Sequence, residues 1–171
     1  GIDFNVMNCN AVVCVTAGNK LIVVDEIIRQ QDTDAMAREI RRRYGNNKIF
    51  VYPDASGAAR STINASKTDI AILESYGFTS MALRSNPPIK DRVQTLQAVL
   101  ENSKGQIRMA IYAKATRLIE CLELQSYDEK TGDPDKQNGY DHLNDALGYL
   151  CYREFNMIYS KAGQKTGIRI Y

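Results

Sequence analysis

A single histidine and four cysteines without a Cys-x-x-Cys spacing leave this 171-residue chain without the soft ligands of a structural zinc site. Cys9, Cys14, Cys121 and Cys151 lie in apolar stretches, as reduced core cysteines do, and reduced thiols fit a cytosolic setting. No run approaches the ~18 apolar residues of a membrane span, and no basic segment followed by an apolar one opens the chain. Gly-x-x-x-x-Gly-Lys-Ser/Thr is absent, which excludes a P-loop for nucleotide phosphates, and there is no internal repeat or low-complexity tract. Charge of either sign is also not in excess. With 22 Lys and Arg against 20 Asp and Glu, the net charge is +2, so a nucleic-acid face would have to concentrate its basic groups on one side.

What is present is an ordinary globular composition, 44% apolar and 25% charged, in a length that makes residues 1–171 one domain. Gly1 runs straight into strand-like sequence with no initiating Met, so a fragment of a longer chain is expected. Ile2, Phe4 and Val6, then Ala11–Val15, then Leu21–Val24 with Ile27 and Ile28, are β-forming runs broken at Asn8-Cys-Asn10 and Ala17-Gly-Asn-Lys20. That pattern predicts three consecutive antiparallel strands. Asp32-Thr-Asp34 offers a cap before a helix over 35–44, closed by Gly45. A strand follows at 48–52, and the helix between makes it parallel to an earlier strand. Further on the sequence predicts a polar loop over 55–66, a helix at about 67–75, a strand around 78–83, an amphipathic helix over 89–101, a weaker strand over 106–111 and a helix over 116–124. Residues 125–138 form a polar loop or flexible hairpin, and the last long helix begins near Asp141. The tail 161–171 reads as an edge strand or a disordered end. The fold class is α/β, a mixed central sheet of three antiparallel strands then parallel ones, flanked by helices.

The chemistry gathers around aspartates. Asp141, His142 and Asp145 are neighbours on the surface of the last helix, away from the stripe of Leu143, Leu147 and Leu150. Asp3 and Asp54 each interrupt apolar strand sequence, and the ends of adjacent parallel strands are where ligand crevices form. If the first and fourth strands are neighbours, Asp3 and Asp54 approach each other and Asp145 closes the triangle. Three carboxylates in one place call for divalent cations, with hard oxygen ligands favouring Mg²⁺ or Mn²⁺. Two such ions about 3.5–4 Å apart serve phosphodiester hydrolysis. Each residue alone has an ordinary reading: Asp3 as a strand-end residue, Asp54 as a turn or cap, Asp141 as the N-cap of its own helix, His142 as a surface group.

The order β-β-β-α-β-α, with Asp3 in Gly1-Ile-Asp-Phe-Asn5, Asp54 in Val51-Tyr-Pro-Asp-Ala-Ser-Gly57, and Asp141-His-Leu-Asn-Asp-Ala146 opening the late helix, resembles the ribonuclease H-like nuclease domain of the large terminase subunit of tailed double-stranded DNA phages. The likeness spans nearly the whole chain. It implies a metal-dependent endonuclease that cuts concatemeric viral DNA during packaging, with Asp3, Asp54 and Asp145 as metal ligands and His142 beside them. Asp141 is a further candidate ligand, and Glu26 a loose match to an auxiliary acid. The resemblance also implies an N-terminal ATPase domain in the same full-length chain, a portal and a small terminase subunit as partners, and the host cell cytoplasm as the location. For double-stranded DNA, Arg60, Lys67, Lys130 and Lys136 in the loops flanking the site are the expected phosphate contacts, ahead of Arg38, Arg41, Arg42 and Arg43, which suit a helix C-terminus in any protein. The loop 125–138 is placed to control access of DNA. Rival readings are another ribonuclease H-like nuclease, such as a Holliday-junction resolvase or hybrid nuclease, and a non-catalytic nucleic-acid-binding module.

Overall fold

In a computed structural model, residues 1–5, 7–45, 47–58 and 68–155 are described. Three antiparallel strands lead, β1 (Ile2–Asp3), β2 (Cys9–Ala17) and β3 (Lys20–Gln30), followed by α1 (Thr33–Tyr44), β4 (Phe50–Val51), a 3₁₀ turn at Ala55–Ala58 and α2 (Asp69–Ser75). Then come β5 (Thr79–Ser80), α3 (Ile89–Leu100), β6 (Met109–Ile111), α4 (Thr116–Leu124) and α5 (Asp141–Phe155). Hydrogen-bonded order is β1-β2-β3-β6 in one sheet and β4-β5 in another. A parallel bridge between Ile2 and Pro53 joins the two, so the strands run 5-4-1-2-3-6 across the molecule. The first three strands are antiparallel, while β3–β6 and β4–β5 are parallel, which is the expected mixed sheet.

Alternation along the strands sends successive side chains to opposite faces. Ile2, Ala11 and Ile27 pack with Met36 and Ile40 of α1, Leu73 of α2 and Phe78. Val12, Leu21 and Val23 pack on the other face with Leu96 and Val99 of α3, Leu118 of α4 and Leu147 of α5. Val23 and Ile27, four apart, would share a face in a regular strand. Between them Val13 pairs with Asp25 while Cys14 pairs with Val23, so Val24 is a bulge residue and the parity flips. Cys9, Cys121 and Cys151 are buried free thiols and Cys14 is half-buried, and burial raises each thiol pKa, to about 11 for Cys14 and Cys121.

Local signals account for most boundaries. Asp32 caps α1 by accepting the Ala35 N–H, and Gly45 closes it with φ 54°. One turn was misplaced: Asn8-Cys-Asn10 is not the break between strands, because β2 already begins at Cys9 and Asn10 pairs with Asp3. The Asn10 side chain is used across the sheet, accepting the Arg29 N–H at 3.0 Å, rather than for a turn. β6 is also shorter than the 106–111 expected, since the Asn102 side chain accepts the Lys104 and Gln106 N–H groups and holds that stretch as a turn. The segment 125–138 is a hairpin, with Tyr127 bridged to Pro134 and backbone bonds from Asp128 N to Asp133 O and from Asp135 N to Ser126 O. The tail 161–171 lies outside the described residues.

Candidate active site

Backbone pairing brings the first two aspartates together. Ile2 N donates to Tyr52 O at 3.0 Å and Asp54 N to Ile2 O at 3.3 Å, so Asp3 and Asp54 follow one another across the ends of two parallel strands. α5 lies directly over this end of the sheet. A Cβ at Gly1 would overlap the Ala146 carbonyl, so only glycine there lets the helix come down onto β1. The approach carries His142, Asp145 and Tyr149, each three or four residues from the next, over the strand ends.

Each carboxylate is held by organic partners. His142 Nδ1 and Asn5 Nδ2 both donate to Asp3 Oδ2, at 3.0 and 2.7 Å. The bond to Asp3 raises the His142 pKa against the effect of burial, helped by the charges of Asp141, Asp3 and Asp145. With Nδ1–H committed to Asp3, Nε2 of the neutral ring is left as an acceptor. Asp54 Oδ1 accepts from Ser56 N at 2.6 Å and Asn86 Nδ2 at 2.7 Å, and its Oδ2 accepts from Tyr149 OH at 3.1 Å. Burial works to raise the Asp54 pKa, but these donors outweigh it and hold the carboxyl below its ordinary value.

Asp145 has the most unusual neighbour. Arg92 Nη2 donates to its Oδ1 at 2.7 Å, in a pair whose side chains are only 5% and 13% exposed. The Arg92 guanidinium lies 4.5 Å over the Tyr149 ring, and its stem fills the space left by Gly148, where a Cβ would meet Arg92 Cγ at 2.9 Å. Burial raises the Asp145 pKa and the charge of Asp3 adds to it, while Arg92 and Lys136 pull the other way. Asp141 is buried at 4% exposure, its Oδ1 has no hydrogen-bond partner, and it stands 3.9 Å from His142 Nδ1. It is the first residue of α5 rather than the residue before it.

Four site residues were not singled out from the sequence: Asn5, Asn86, Arg92 and Tyr149. Arg92 carried a signal, since it stands at i, i+4, i+7 with Leu96 and Val99, a cation inside the apolar stripe of α3. Glu26, the candidate auxiliary acid, has a structural partner. Its two oxygens accept the Arg117 and Leu118 N–H groups at 3.0 and 2.7 Å, capping α4, whose own N-cap residue is Ala115. The α1 arginines are engaged within the protein: Arg38 with Asp34, Arg42 with Glu39, Arg43 with Glu39 and Asp25, and Arg41 with the carbonyls of Tyr76, Gly45 and Asn47. Lys130 and Lys136 are exposed on the hairpin, and the Lys136 charge reaches Asp145. Arg60 and Lys67 lie outside the described residues.

Residues 1–154 match the family model described as the terminase RNaseH-like domain. The chain belongs to that family. No curated protein sequence matches it. Among solved structures, this terminase domain is similar to the nuclease domain of the large terminase g2p of bacteriophage SPP1, with bound Mn, at TM-score 0.59 and 18% identity over 90% of this chain and 84% of that one. It is also similar to the P22 large terminase nuclease domain, at TM-score 0.64 and 16% identity over 86% of this chain and 76% of that one. These likenesses show the ribonuclease H-like fold. No helix among the described residues is long and apolar enough to cross a membrane.

The donor set of the terminase domain fits hard divalent cations. It is made of carboxylate oxygens alone, it includes a buried Asp141 oxygen with no donor, and the Asp145 pKa, raised first by burial, is raised further by the charge of Asp3. As the side chains stand, no three of His, Cys, Asp and Glu among the described residues are grouped closely enough to hold an ion. Each carboxylate is instead turned to its own donors, Asp145 to Arg92, Asp54 to Asn86 and Tyr149, Asp3 to His142.

Proposed function

We propose that this domain is a divalent-metal-dependent endonuclease that cuts concatemeric double-stranded viral DNA during genome packaging, working with two ions of Mg²⁺ or Mn²⁺. The observation that carries the reading is the meeting of Asp3 and Asp54 at the ends of parallel strands beneath the α5 residues His142 and Asp145, in a chain of the terminase family. The bound Mn of the SPP1 domain supports the metal.

In this reading Asp3, Asp54 and Asp145 hold the ions, with Asp141 as a further ligand. When bound, such ions activate water at neutral pH and stabilise the leaving oxygen of a phosphodiester. The chain's own part is positioning. Ser56, Asn86 and Tyr149 keep Asp54 ionised and fixed before any ligand arrives. Asp3 fixes the His142 ring through Nδ1, so that Nε2 is free to exchange a proton with the attacking or leaving oxygen. Lys130, Lys136, Arg60 and Lys67 contact DNA phosphates without reading sequence. The working enzyme is the full-length terminase in the host cell cytoplasm, with an N-terminal ATPase domain in the same chain and the portal and small terminase subunit as partners.

Supercoiled plasmid incubated with the protein and Mn²⁺, Mg²⁺ or EDTA tests the reading. Metal-dependent nicking and linearisation, lost in Asp54→Asn and in Asp145→Asn, is the expected result. Equal cleavage by both folded variants, or none by the folded wild type under either metal, would refute it.

A further inference from the structure

Beside His142, on α5, opens a cavity of about 250 Å³ lined mainly by polar side chains: Arg29, Arg117, Asn8, Asn10, Asn138 and His142 itself. Its most unusual member is Arg29. The residue lies in a second irregularity of the β2–β3 pair, where Cys9 pairs with Gln30 but Ala11 with Ile27, so two residues of β2 span three of β3. Arg29 takes φ 53°, a left-handed conformation that a non-glycine residue adopts only at a cost. Asn10 holds it there, accepting the Arg29 N–H at 3.0 Å while its own amide donates to Asn8 O at 2.7 Å.

The irregularity leaves the Arg29 side chain exposed and without a carboxylate partner among the described residues. It re-aims a long cation into the cavity, as bulges beside sites do. The second arginine is fixed differently. Arg117 is anchored by Glu120 at 2.6 Å and by the Gly139 carbonyl at 3.2 Å, and stacks over Tyr140. The cavity thus joins one guanidinium without a carboxylate partner, one rigid guanidinium and the Asn8 amide, while the amides of Asn10 and Asn138 already donate to Asn8 and Ser126; two guanidinium groups and an amide suit an oxyanion.

We propose that this cavity is a phosphate subsite, separate from the carboxylate centre, that seats a phosphodiester of the DNA backbone next to the one being cut, with Arg29 as its principal charge. The proposal rests on the nuclease reading, because His142 joins the two sites: it lines the cavity and donates to Asp3. Arg29 acts there as a binding residue. The β2–β3 irregularity is the device that delivers it.

The test compares wild type, Arg29→Gln, Arg29→Gly and Arg29→Lys for binding of a fluorescent 20-bp DNA duplex in EDTA, across a salt series, alongside thermal melting. Arg29→Gln should weaken binding about five- to tenfold and lower the slope of log K against log[salt] by about 0.9, the loss of one phosphate contact. Arg29→Gly should lose the same affinity while its Tm stays level or rises, because glycine accepts this φ freely. Arg29→Lys should recover most of the salt slope. Affinity and slope unchanged in Arg29→Gln would overturn the subsite and leave the nuclease reading standing if Asp54→Asn still abolishes cleavage. A folded wild type that binds no duplex at any salt would overturn both.

Discussion

Replacing Arg92 by Met should destabilise the metal-free domain by about 2–3 kcal/mol, and a second substitution, Asp145→Asn, should restore most of that loss. The reasoning starts from burial. Removing one partner of a buried ion pair typically costs about 3–5 kcal/mol, because the other charge is left without compensation. Here the side chains are 5% and 13% exposed, so Asp145 retains a little access to water and the lower end of that range applies. Two further effects partly offset the loss. Met fills the slot beside Gly148 that the arginine stem occupies, and the substitution removes Arg92 Nη1, a buried donor with no partner, whose unmet hydrogen bond costs about 1–3 kcal/mol. Lost stacking of the guanidinium on Tyr149 works in the opposite direction by roughly 1 kcal/mol.

Urea unfolding followed by circular dichroism at pH 7 in EDTA measures all four corners of the cycle. Asp145→Asn alone should cost about 2 kcal/mol, since it strands the guanidinium, and the double variant should fall within about 1 kcal/mol of wild type, a coupling of roughly 3 kcal/mol. Additivity within about 0.5 kcal/mol would show that the two side chains do not stabilise one another, and the account of Arg92 and Asp145 as a coupled buried pair would fall.

Gly148→Ala tests the same slot from the other side: an alanine normally adds up to about 1 kcal/mol in a helix, but its Cβ would meet Arg92 Cγ at 2.9 Å, so the unfolding free energy measured in urea should fall by a net ~1–2 kcal/mol instead of rising. Glu26→Ala removes the remote cap of α4 and should cost about 1–2 kcal/mol while leaving the plasmid-cleavage rate per folded molecule unchanged; a lost rate at retained stability would restore Glu26 as an auxiliary acid. Burial works to raise the Asp25 pKa, but bonds from Arg43 and Tyr44 hold it below the ordinary 3.8. Its stabilising contribution is therefore present above that value and disappears as pH falls through the folded pKa, so melting curves from pH 5 to pH 2 should decline less steeply for Asp25→Asn than for wild type.

Much of the fold was legible because its signals are local. The helix over 116–124 and the antiparallel run of β1 to β3 rest on hydrophobic period and turn residues within a few positions. The intervening helix made β4 parallel to an earlier strand without saying which, and the Ile2–Pro53 bridge meets the condition, that β1 is its neighbour, on which the meeting of Asp3 and Asp54 depended. Three partners of the site aspartates were not legible, because they come from elsewhere in the chain: Asn86 is 32 residues from Asp54, Tyr149 is 95 from it, and Arg92 is 53 from Asp145. No spacing rule reaches that far, yet two local anomalies marked the places. Arg92 stands in an apolar stripe and α4 begins at an alanine that cannot cap it, and each resolves into a charged partner from another element, Asp145 for the one and Glu26 for the other. A charge where burial is expected implies a counter-charge that the fold must bring to it. In this domain that counter-charge is one of the proposed metal ligands, so the arginine that holds Asp145 in the free protein is also the group a divalent cation must compete with to enter.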